Sequence, residues 1–198
     1  MKARACGHAN SLRAKIGGPA DNEGVSTMPY RDLRDYITEL QRRDLLHVVD
    51  EPVCKDTELV PLVRLQFRGL PESERRAFWF RKVTDQRGQD FDASVVLGSL
   101  GCSRAVYAAA LGVETDGIGA RWADAQANHL PPELVEAGAA PCKEVVLKAP
   151  DLDGGVDRFP HLISTPGFDP APFITAGVWV TRDPEDGSYN LGIYRGMI

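Results

Sequence analysis

The sequence is poor in the residue groupings that build metal sites and disulfide frameworks. Its four cysteines, Cys6, Cys54, Cys102 and Cys142, lie far apart and form no C-x-x-C pair. We therefore expect buried or unreactive thiols in a reducing compartment rather than a disulfide framework. The four histidines are equally scattered, so the sequence contains no local metal motif. No apolar run reaches the roughly 18 residues that a transmembrane helix needs.

A basic surface is also missing from the composition. The 198 residues include 23 Lys and Arg against 28 Asp and Glu, which gives a net charge of −5. This balance argues against binding to nucleic acid or to an anionic membrane. The hydrophobic content of 43% is enough to bury a core. We expect a cytoplasmic globular chain of one domain, or of one domain and part of another.

The first 28 residues have no sustained hydrophobic period. The first twenty carry four basic residues and no acid, which would suit a transit peptide, but Gly17-Gly18-Pro19 interrupts any amphipathic helix. Met28 stands directly before the first organised segment. We therefore expect residues 1–28 to be a disordered leader or a translation-start artefact rather than a targeting signal.

Residues 29–150 predict a small mixed α/β module. Near its start, Leu33, Tyr36, Ile37 and Leu40 recur at the spacing of one helix face. The predicted helices cover residues 29–44, 58–67, 104–111 and a short segment near 122–127. The predicted strands cover residues 45–53, 77–83, 93–100 and 143–150.

Capping and breaking residues predict where these elements begin and end. Pro29 suits the first turn of the first helix, and Thr57 is placed to cap the second. Ser103 is placed to cap the third helix, and Gly112 to end it. The first strand is expected to close at Glu51-Pro52, because proline cannot donate a ladder hydrogen bond.

The amino-acid composition changes after residue 150. Prolines and glycines dominate residues 151–170, which we interpret as a linker. In residues 171–198, two β-rich segments, 174–182 and 189–195, flank a turn at 183–187 and predict a β-hairpin. An isolated hairpin is marginal in water, so its neighbours are expected to be strands that this chain does not contain.

The returning strand of that hairpin carries residues suited to a binding site. Asn190 offers a neutral oxygen that suits Mn²⁺, Mg²⁺ or K⁺, and Arg195 offers a planar fork for a carboxylate or phosphate. Gly192 leaves room for a ligand. These residues would equally suit an ordinary turn, bulge and solvated edge. Strict alternation places Asn190 and Arg195 on opposite faces, unless a bulge at Gly192 redirects one of them or both touch one large ligand.

Five segments, in this order, resemble the UbiD family of decarboxylases over about residues 29–198. The segments are PYRDLRDYITELQRRDLLHVV, EPVCKDTELVPLVR, VVLGSLGCSRAVYAAALGV, KEVVLKAPDLDGGVDRFP and ITAGVWVTRDPEDGSYNLGIYRGMI. The last segment is the most specific. The resemblance implies an α+β fold, in which a mixed α/β N-terminal module at 29–150 precedes the first hairpin, at 171–198, of an incomplete FMN-binding split β-barrel.

The resemblance also implies an activity and a set of site residues. UbiD-like carboxy-lyases remove or add a carboxyl group on aromatic or α,β-unsaturated acids and use prenylated FMN, with Mn²⁺ and K⁺ at its phosphate. Asn190 matches the family's metal-ligating asparagine. Ile193, Tyr194 and Arg195 match its cofactor-contacting run, and Arg195 also matches an arginine of the catalytic and substrate site. Thr175 falls in a matching strand near the cofactor.

The family pattern further implies that this chain is an N-terminal portion. The family's metal-binding histidine and glutamate and its two catalytic glutamates belong downstream of the last motif, so we expect the chain alone to be inactive. Full-length members would form homo-oligomers and receive their cofactor from a flavin prenyltransferase. One alternative is a non-catalytic subunit or interaction module whose partner supplies the rest of the barrel. Another is a flavin reductase on a similar barrel, using ordinary FMN and a nicotinamide.

Overall fold

The computed structural model describes residues 30–128, 134–151 and 155–198. The predicted leader and Pro29 lie outside these residues. The helices are α1 Leu33–Arg42, α2 Leu59–Gly69, α3 Arg104–Leu111 and α4 Ile118–Ala127. The strands are β1 Leu46–Cys54, β2 Ala77–Thr84, β3 Asp90–Phe91, β4 Val95–Leu97, β5 Phe173–Ile174, β6 Val178–Arg182, β7 Tyr189–Ile193 and β8 Gly196–Met197. No helix in the described residues is long and apolar enough to cross a membrane.

A four-stranded sheet centred on β2 organises the N-terminal part. β1 runs parallel to β2, and α2 connects the two strands. β3 and β4 pair with β2 antiparallel. β1 does not close at Glu51-Pro52 as predicted but runs on to Cys54 across a register shift between Val49 and Pro52. The edge position explains this: β1 pairs only with β2 within the described residues, so Pro52 can sit where no donor is required.

The core lies on both faces of this sheet. On one face, α1 and α3 pack against the sheet through Leu40, Val106 and Ala77, all with no exposed surface. On the other face, α2 packs through Leu59 against Phe80, and both side chains are again fully buried. Alternation along β2 sends Ala77 and Phe80 to opposite faces. The mixed α/β character predicted from the sequence is thereby confirmed.

Two helix ends follow their capping residues. Asp32 precedes α1, and its side chain accepts hydrogen bonds from the N–H groups of Arg34 and Asp35 at 2.8 and 3.0 Å. Ser103 caps α3 by accepting from the N–H of Val106, and Gly112 ends α3 with φ +67°. The predictions made for Ser103 and Gly112 are confirmed, because both ends are set by local backbone chemistry.

The predicted start of α2 was wrong by one residue. The capping position is Glu58 rather than Thr57, and it makes no side-chain cap bond. The Glu58 carboxylate instead accepts from the N–H of Cys54 at 2.8 Å. Next to it, Lys55 and Asp56 form a buried ion pair at 2.6 Å, and Asp56 also accepts from the N–H of Gln86. This contact with the turn after β2 fixes the chain entering α2, which a local capping rule does not describe.

The predicted strand at residues 143–150 was also wrong. The segment contains short 3₁₀ turns at Pro141–Lys143 and Ala149–Asp151, and Val145 and Val146 between them are 65% and 62% exposed. A strand needs a partner for its backbone N–H and C=O groups. No strand of the described residues pairs with this segment, so its apolar, β-branched composition does not produce one.

The predicted strand at 174–182 is divided between two small sheets. β5 pairs antiparallel with β8, and β6 pairs antiparallel with β7. The β6–β7 hairpin itself is confirmed, and its turn is held by Asp183, whose carboxylate accepts from the N–H groups of Glu185 and Asp186. Because β5 and β6 have different partners, the segment cannot continue as one straight strand.

Candidate functional site

The two faces of the β6–β7 hairpin differ in chemistry. Directly paired residues share a face in an antiparallel ladder, so the pairs Thr181–Asn190 and Trp179–Gly192 lie on one side. We call this side the Asn190 face. The opposite side carries an apolar set, which we call the valine face: Val178, Val180, Leu191 and Ile193. All four residues of the valine face are more than half exposed.

Asn190 is the second residue of β7, and its side chain is open to solvent. The residue is exposed, and its side chain makes no hydrogen bond within the described residues. A bulge at Gly192, which was one of the two alternatives, is not present, since the β6–β7 register is continuous from Arg182–Tyr189 to Val178–Ile193. Asn190 therefore remains free to offer its oxygen on the Asn190 face.

Tyr194 brings its ring back over the strand that precedes it. A Cβ placed on Gly192 would overlap the Tyr194 ring, so the ring lies over that glycine, on the Asn190 face. The backbone of Tyr194 is tied twice: its N–H donates to the Gly177 carbonyl at 3.2 Å, and its carbonyl accepts from the Trp179 indole N–H at 3.1 Å. Sequence reasoning missed Trp179 and Gly177, whose β-propensity and small size were the available signals.

Arg195 lies between β7 and β8, next to the small sheet formed by β5 and β8. Its guanidinium lies 5.0 Å from the centroid of the Phe173 ring, a distance at which a cation is attracted to an aromatic face. Thr175 follows β5 directly and Arg195 precedes β8 directly, so these two predicted residues flank the same end of the β5–β8 pair. Phe173 was not predicted as a site residue, and only its aromatic character signalled it.

The structure thus gathers the five predicted residues only in part. Asn190 and the Tyr194 ring share one face of the hairpin, Ile193 points to the opposite face, and Arg195 and Thr175 meet at the neighbouring sheet. Beside Thr175 lies a cavity of about 310 Å³ that extends between β4 and β5. The site residues are exposed, so the surface is a shallow platform and not an enclosed pocket.

The residues present fit part of a hard-metal and flavin-phosphate site. Asn190 supplies one oxygen ligand of the type that Mn²⁺ and K⁺ accept, and Arg195 supplies a cation for a phosphate or carboxylate. In the part of the chain that the structure describes, no group of three or more His, Cys, Asp or Glu could hold a metal. Octahedral metals take about six ligands, so Asn190 would be one contributor among several.

The three described thiols take no part in this surface. Cys54, Cys102 and Cys142 are free in the described residues, but only Cys102 is buried and Cys142 is exposed, so the expectation of buried thiols holds for Cys102 alone. Cys102 is buried under α3, and burial raises the pKa of its thiol. A thiol that stays protonated is a poor nucleophile and a poor metal ligand.

Comparison with known proteins shows a likeness to one family. Residues 133–198 match the model of the UbiD family, described as the 3-octaprenyl-4-hydroxybenzoate carboxy-lyase Rift-related domain. This chain resembles the N-terminal portion of a UbiD-family decarboxylase. The UbiD match contains the whole hairpin and every residue of the candidate site.

Solved UbiD-class structures extend the likeness across most of the chain. The UbiD-class enzyme HmfF from Pelotomaculum thermopropionicum, in complex with FMN, is 27% identical with a TM-score of 0.66 over 82% of this chain. The 3,4-dihydroxybenzoic acid decarboxylase of Klebsiella pneumoniae is 27% identical with a TM-score of 0.69 over 84%. Vanillic acid decarboxylase of Sedimentibacter hydroxybenzoicus, 24% identical with a TM-score of 0.67 over 85%, shares the fold.

The UbiD-like chain is much shorter than these enzymes. It covers 33% of the HmfF chain and 34% of each of the other two. HmfF has also been solved as an evolved dimeric form in complex with prFMN. The likeness therefore concerns one third of each enzyme.

Proposed function

We propose that this chain contributes the opening strands of a prenylated-FMN site in a UbiD-like non-oxidative decarboxylase. The observation that carries the proposal is the match of residues 133–198 to the UbiD family, in the segment where Asn190 and Tyr194 share one open face. The flavin complexes of HmfF support a flavin as the cofactor. The barrel identity of the hairpin belongs to the same proposal.

The chemistry explains why such a site needs a cofactor. Removing CO₂ from an aromatic or α,β-unsaturated acid leaves a carbanion on an sp² carbon with no electron sink, and bound prenylated FMN would supply that sink. In our proposal, Asn190 ligates Mn²⁺ at the flavin phosphate, with K⁺ as a second ion. Ile193, Tyr194 and Thr175 position the cofactor, and Arg195 holds the carboxylate of the acid in register.

The chain alone is proposed to bind flavin weakly and to give no turnover. Asn190 is a single ligand, and both hairpin faces are open to water, where charge-assisted contacts are weak. Further strands would cover the exposed valine face and enclose the cofactor. These strands would come from the remaining two thirds of a UbiD-length polypeptide.

Two arrangements could supply those strands. In the first, the further strands belong to a UbiD-length decarboxylase. That protein would be homo-oligomeric and cytoplasmic and would receive its cofactor from a flavin prenyltransferase. The alternative is a non-catalytic module that docks to a separate partner carrying the rest of the barrel. The exposed apolar residues of the valine face favour docking of some kind, because such patches mark interaction surfaces.

Paramagnetic broadening by Mn²⁺ tests the site residue by residue. The chain has three tryptophans, and the Trp179 indole lies on the Asn190 face whereas Trp122 lies on α4. With FMN present, Mn²⁺ is expected to broaden the Trp179 indole NMR signal and leave Trp122 sharp. Mg²⁺ should cause no broadening.

Two variants decide whether Asn190 is the ligand. Asn190→Ala should abolish the broadening of Trp179, whereas Thr181→Ala, its cross-strand neighbour, should retain it. Equal broadening of all three indoles, or full broadening in Asn190→Ala, would overturn the assignment. Decarboxylation of an aromatic acid by the purified 198-residue chain, with prenylated FMN and Mn²⁺ supplied, would overturn the proposed inactivity.

A further inference from the structure

A second cavity lies away from the hairpin, beside the first turn of α3. It has a volume of about 460 Å³, and none of its lining residues belongs to residues 133–198. Arg75 and Arg104 contribute its cationic groups, Glu72 its carboxylate, and Leu100 and Tyr107 its larger apolar surfaces. We call this cavity the α3 cleft. The candidate flavin site makes no use of it.

The two arginines of the α3 cleft present hydrogen-bond donors that are not consumed by the fold. The guanidinium of Arg104 is exposed and has no partner within the described residues. Arg75 is held in place, because its Nε donates to the Leu70 carbonyl at 3.2 Å and its guanidinium lies 5.2 Å from the Phe67 ring centroid. Its remaining N–H groups are available to a ligand.

Tyr107 adds a third donor through an arrangement that fixes the direction of its hydroxyl. The Trp122 indole N–H donates to the Tyr107 hydroxyl oxygen at 2.8 Å. An indole can only donate, so the Tyr107 hydroxyl is the acceptor and its own proton remains available. In the described residues that proton has no acceptor. The half-buried Tyr107 therefore offers an O–H to a ligand in the α3 cleft.

Two of the backbone donors at the start of α3 are already occupied. The N–H of Arg104 donates to Glu72 Oε1 at 2.7 Å, and the N–H of Val106 donates to the Ser103 hydroxyl at 3.3 Å. The site thus rests on side chains and not on the helix terminus. Glu72 also limits the ligand's charge, because its carboxylate repels a dianion such as phosphate more strongly than a monoanion.

The remaining walls select for a ligand with an apolar part. Leu100 is 52% exposed, and the Tyr107 ring lines the same cleft. On the other side of Arg104, a neighbouring cavity of about 480 Å³ is lined by Asp116, so an anion is better placed beside Tyr107. We propose that the α3 cleft binds a small monocarboxylate with an aromatic or apolar body, which Arg104, Arg75 and Tyr107 hold by its carboxylate.

Benzoate is the simplest probe of this ligand class, and the Trp122 indole is a built-in reporter. Titrating the full chain with benzoate should shift the Trp122 indole NMR signal in a saturable way, because Trp122 donates to the hydroxyl that the ligand engages. Any shift of Trp179, on the hairpin, should be the same in Arg104→Gln as in wild type, whereas the Trp122 shift should depend on Arg104. This separates the α3 cleft from the candidate flavin site, so either assignment can fail without the other.

Matched ligands and variants give the decisive comparisons. Benzamide, acetate and inorganic phosphate should each bind less tightly than benzoate. Benzamide lacks the negative charge, acetate lacks the apolar body, and phosphate carries a second negative charge that Glu72 repels. Arg104→Gln should weaken benzoate binding about tenfold or more through loss of a charge-assisted hydrogen bond. Arg87→Gln, at an exposed turn with no side-chain contact in the described residues, should bind like wild type.

Two outcomes would overturn the α3 cleft proposal. One is the absence of a saturable Trp122 shift at millimolar benzoate. The other is a shift that is equal in Arg104→Gln and wild type. A preference for phosphate over benzoate would show a general anion site, which also contradicts the monocarboxylate assignment.

Discussion

At the residue scale, backbone geometry requires glycine at particular positions of the chain. Gly98 ends β4 with φ +71°, and a Cβ there would lie 3.3 Å from Cys102 Cβ and 3.7 Å from Val63 Cγ1. Gly88 has a similar φ of +78°, but a Cβ there would meet nothing within 4 Å. The two positions share a left-handed backbone, which would strain any residue with a Cβ, and they differ in packing.

Alanine substitution should separate the strain from the packing. Gly88→Ala is expected to lower the free energy of unfolding by about 1–2 kcal/mol, from the left-handed backbone alone. Gly98→Ala should lower it by about 1–3 kcal/mol more, because Cys102 and Val63 belong to or border the core and must shift. Urea unfolding measures both. Equal losses in the two variants would show that the packing around Gly98 is looser than the distances indicate.

Side-chain contacts at the candidate site also depend on single neighbours. The Tyr194 ring lies over Gly192, and the Arg195 guanidinium lies over Phe173. Strict alternation would place Asn190 and Arg195 on opposite faces of one strand. Arg195 instead lies beyond the end of β7 at Ile193, where the chain joins a second sheet.

At the element scale, α1 carries a carboxylate held by two cations. Glu39 accepts hydrogen bonds from Arg42 at 2.7 Å and from Arg43 at 2.5 Å. Chiefly through the Arg42 bond, and then that of Arg43, the pKa of Glu39 falls from 4.5 to about 2. A carboxyl whose pKa is lower in the folded than in the unfolded chain stabilises the fold above the unfolded value. That contribution disappears as the pH falls through the folded value.

The lowered pKa of Glu39 makes the stability of the fold depend on pH. Wild type should exceed Glu39→Gln in stability above about pH 4.5, and the difference should shrink as the pH falls towards 2. Urea midpoints across this range measure the difference. Glu74→Gln, which removes a carboxyl without an ion pair in the described residues, should show no such window. A wild-type advantage that stays constant down to pH 2 would contradict the low pKa of Glu39.

At the scale of the whole molecule, the hairpin is much less covered than the α/β layer. The α/β layer buries Leu40, Leu59 and Phe80 completely, whereas every residue of β6 is exposed. β6 and β7 each pair only with the other, within the described residues, so each has an open edge. Open edges and exposed apolar faces promote association with other strands.

A charge on the valine face should therefore reduce self-association of the chain. Val180→Lys places a cation among Val178, Leu191 and Ile193, and it should lower the mass measured by light scattering at high protein concentration. Thr181→Lys, on the Asn190 face, adds the same charge one residue away and should have a smaller effect. Equal effects of the two lysines would assign the association to net charge rather than to the valine face.

The sequence by itself determined the features that depend on local chemistry. The helical spacing of α1, the Ser103 cap and Gly112 end of α3, and the Asp183 turn of the hairpin follow from neighbouring residues in the chain. The resemblance to the UbiD family rests on sequence motifs that occur in the same order along the chain. Residue types also singled out Asn190 and Arg195.

The tertiary structure alone decided the features that depend on distant partners. Residues 143–150 have strand composition but no paired strand in the described residues, and residues 174–182 divide because β5 and β6 have different partners. The approach of Arg195 to Phe173 and the approach of Arg75 to α3 join residues far apart in the chain. A strand needs a neighbouring strand, and a cleft needs walls from different elements. In both cases the partners are distant in the sequence, so a local stretch of sequence cannot contain them together.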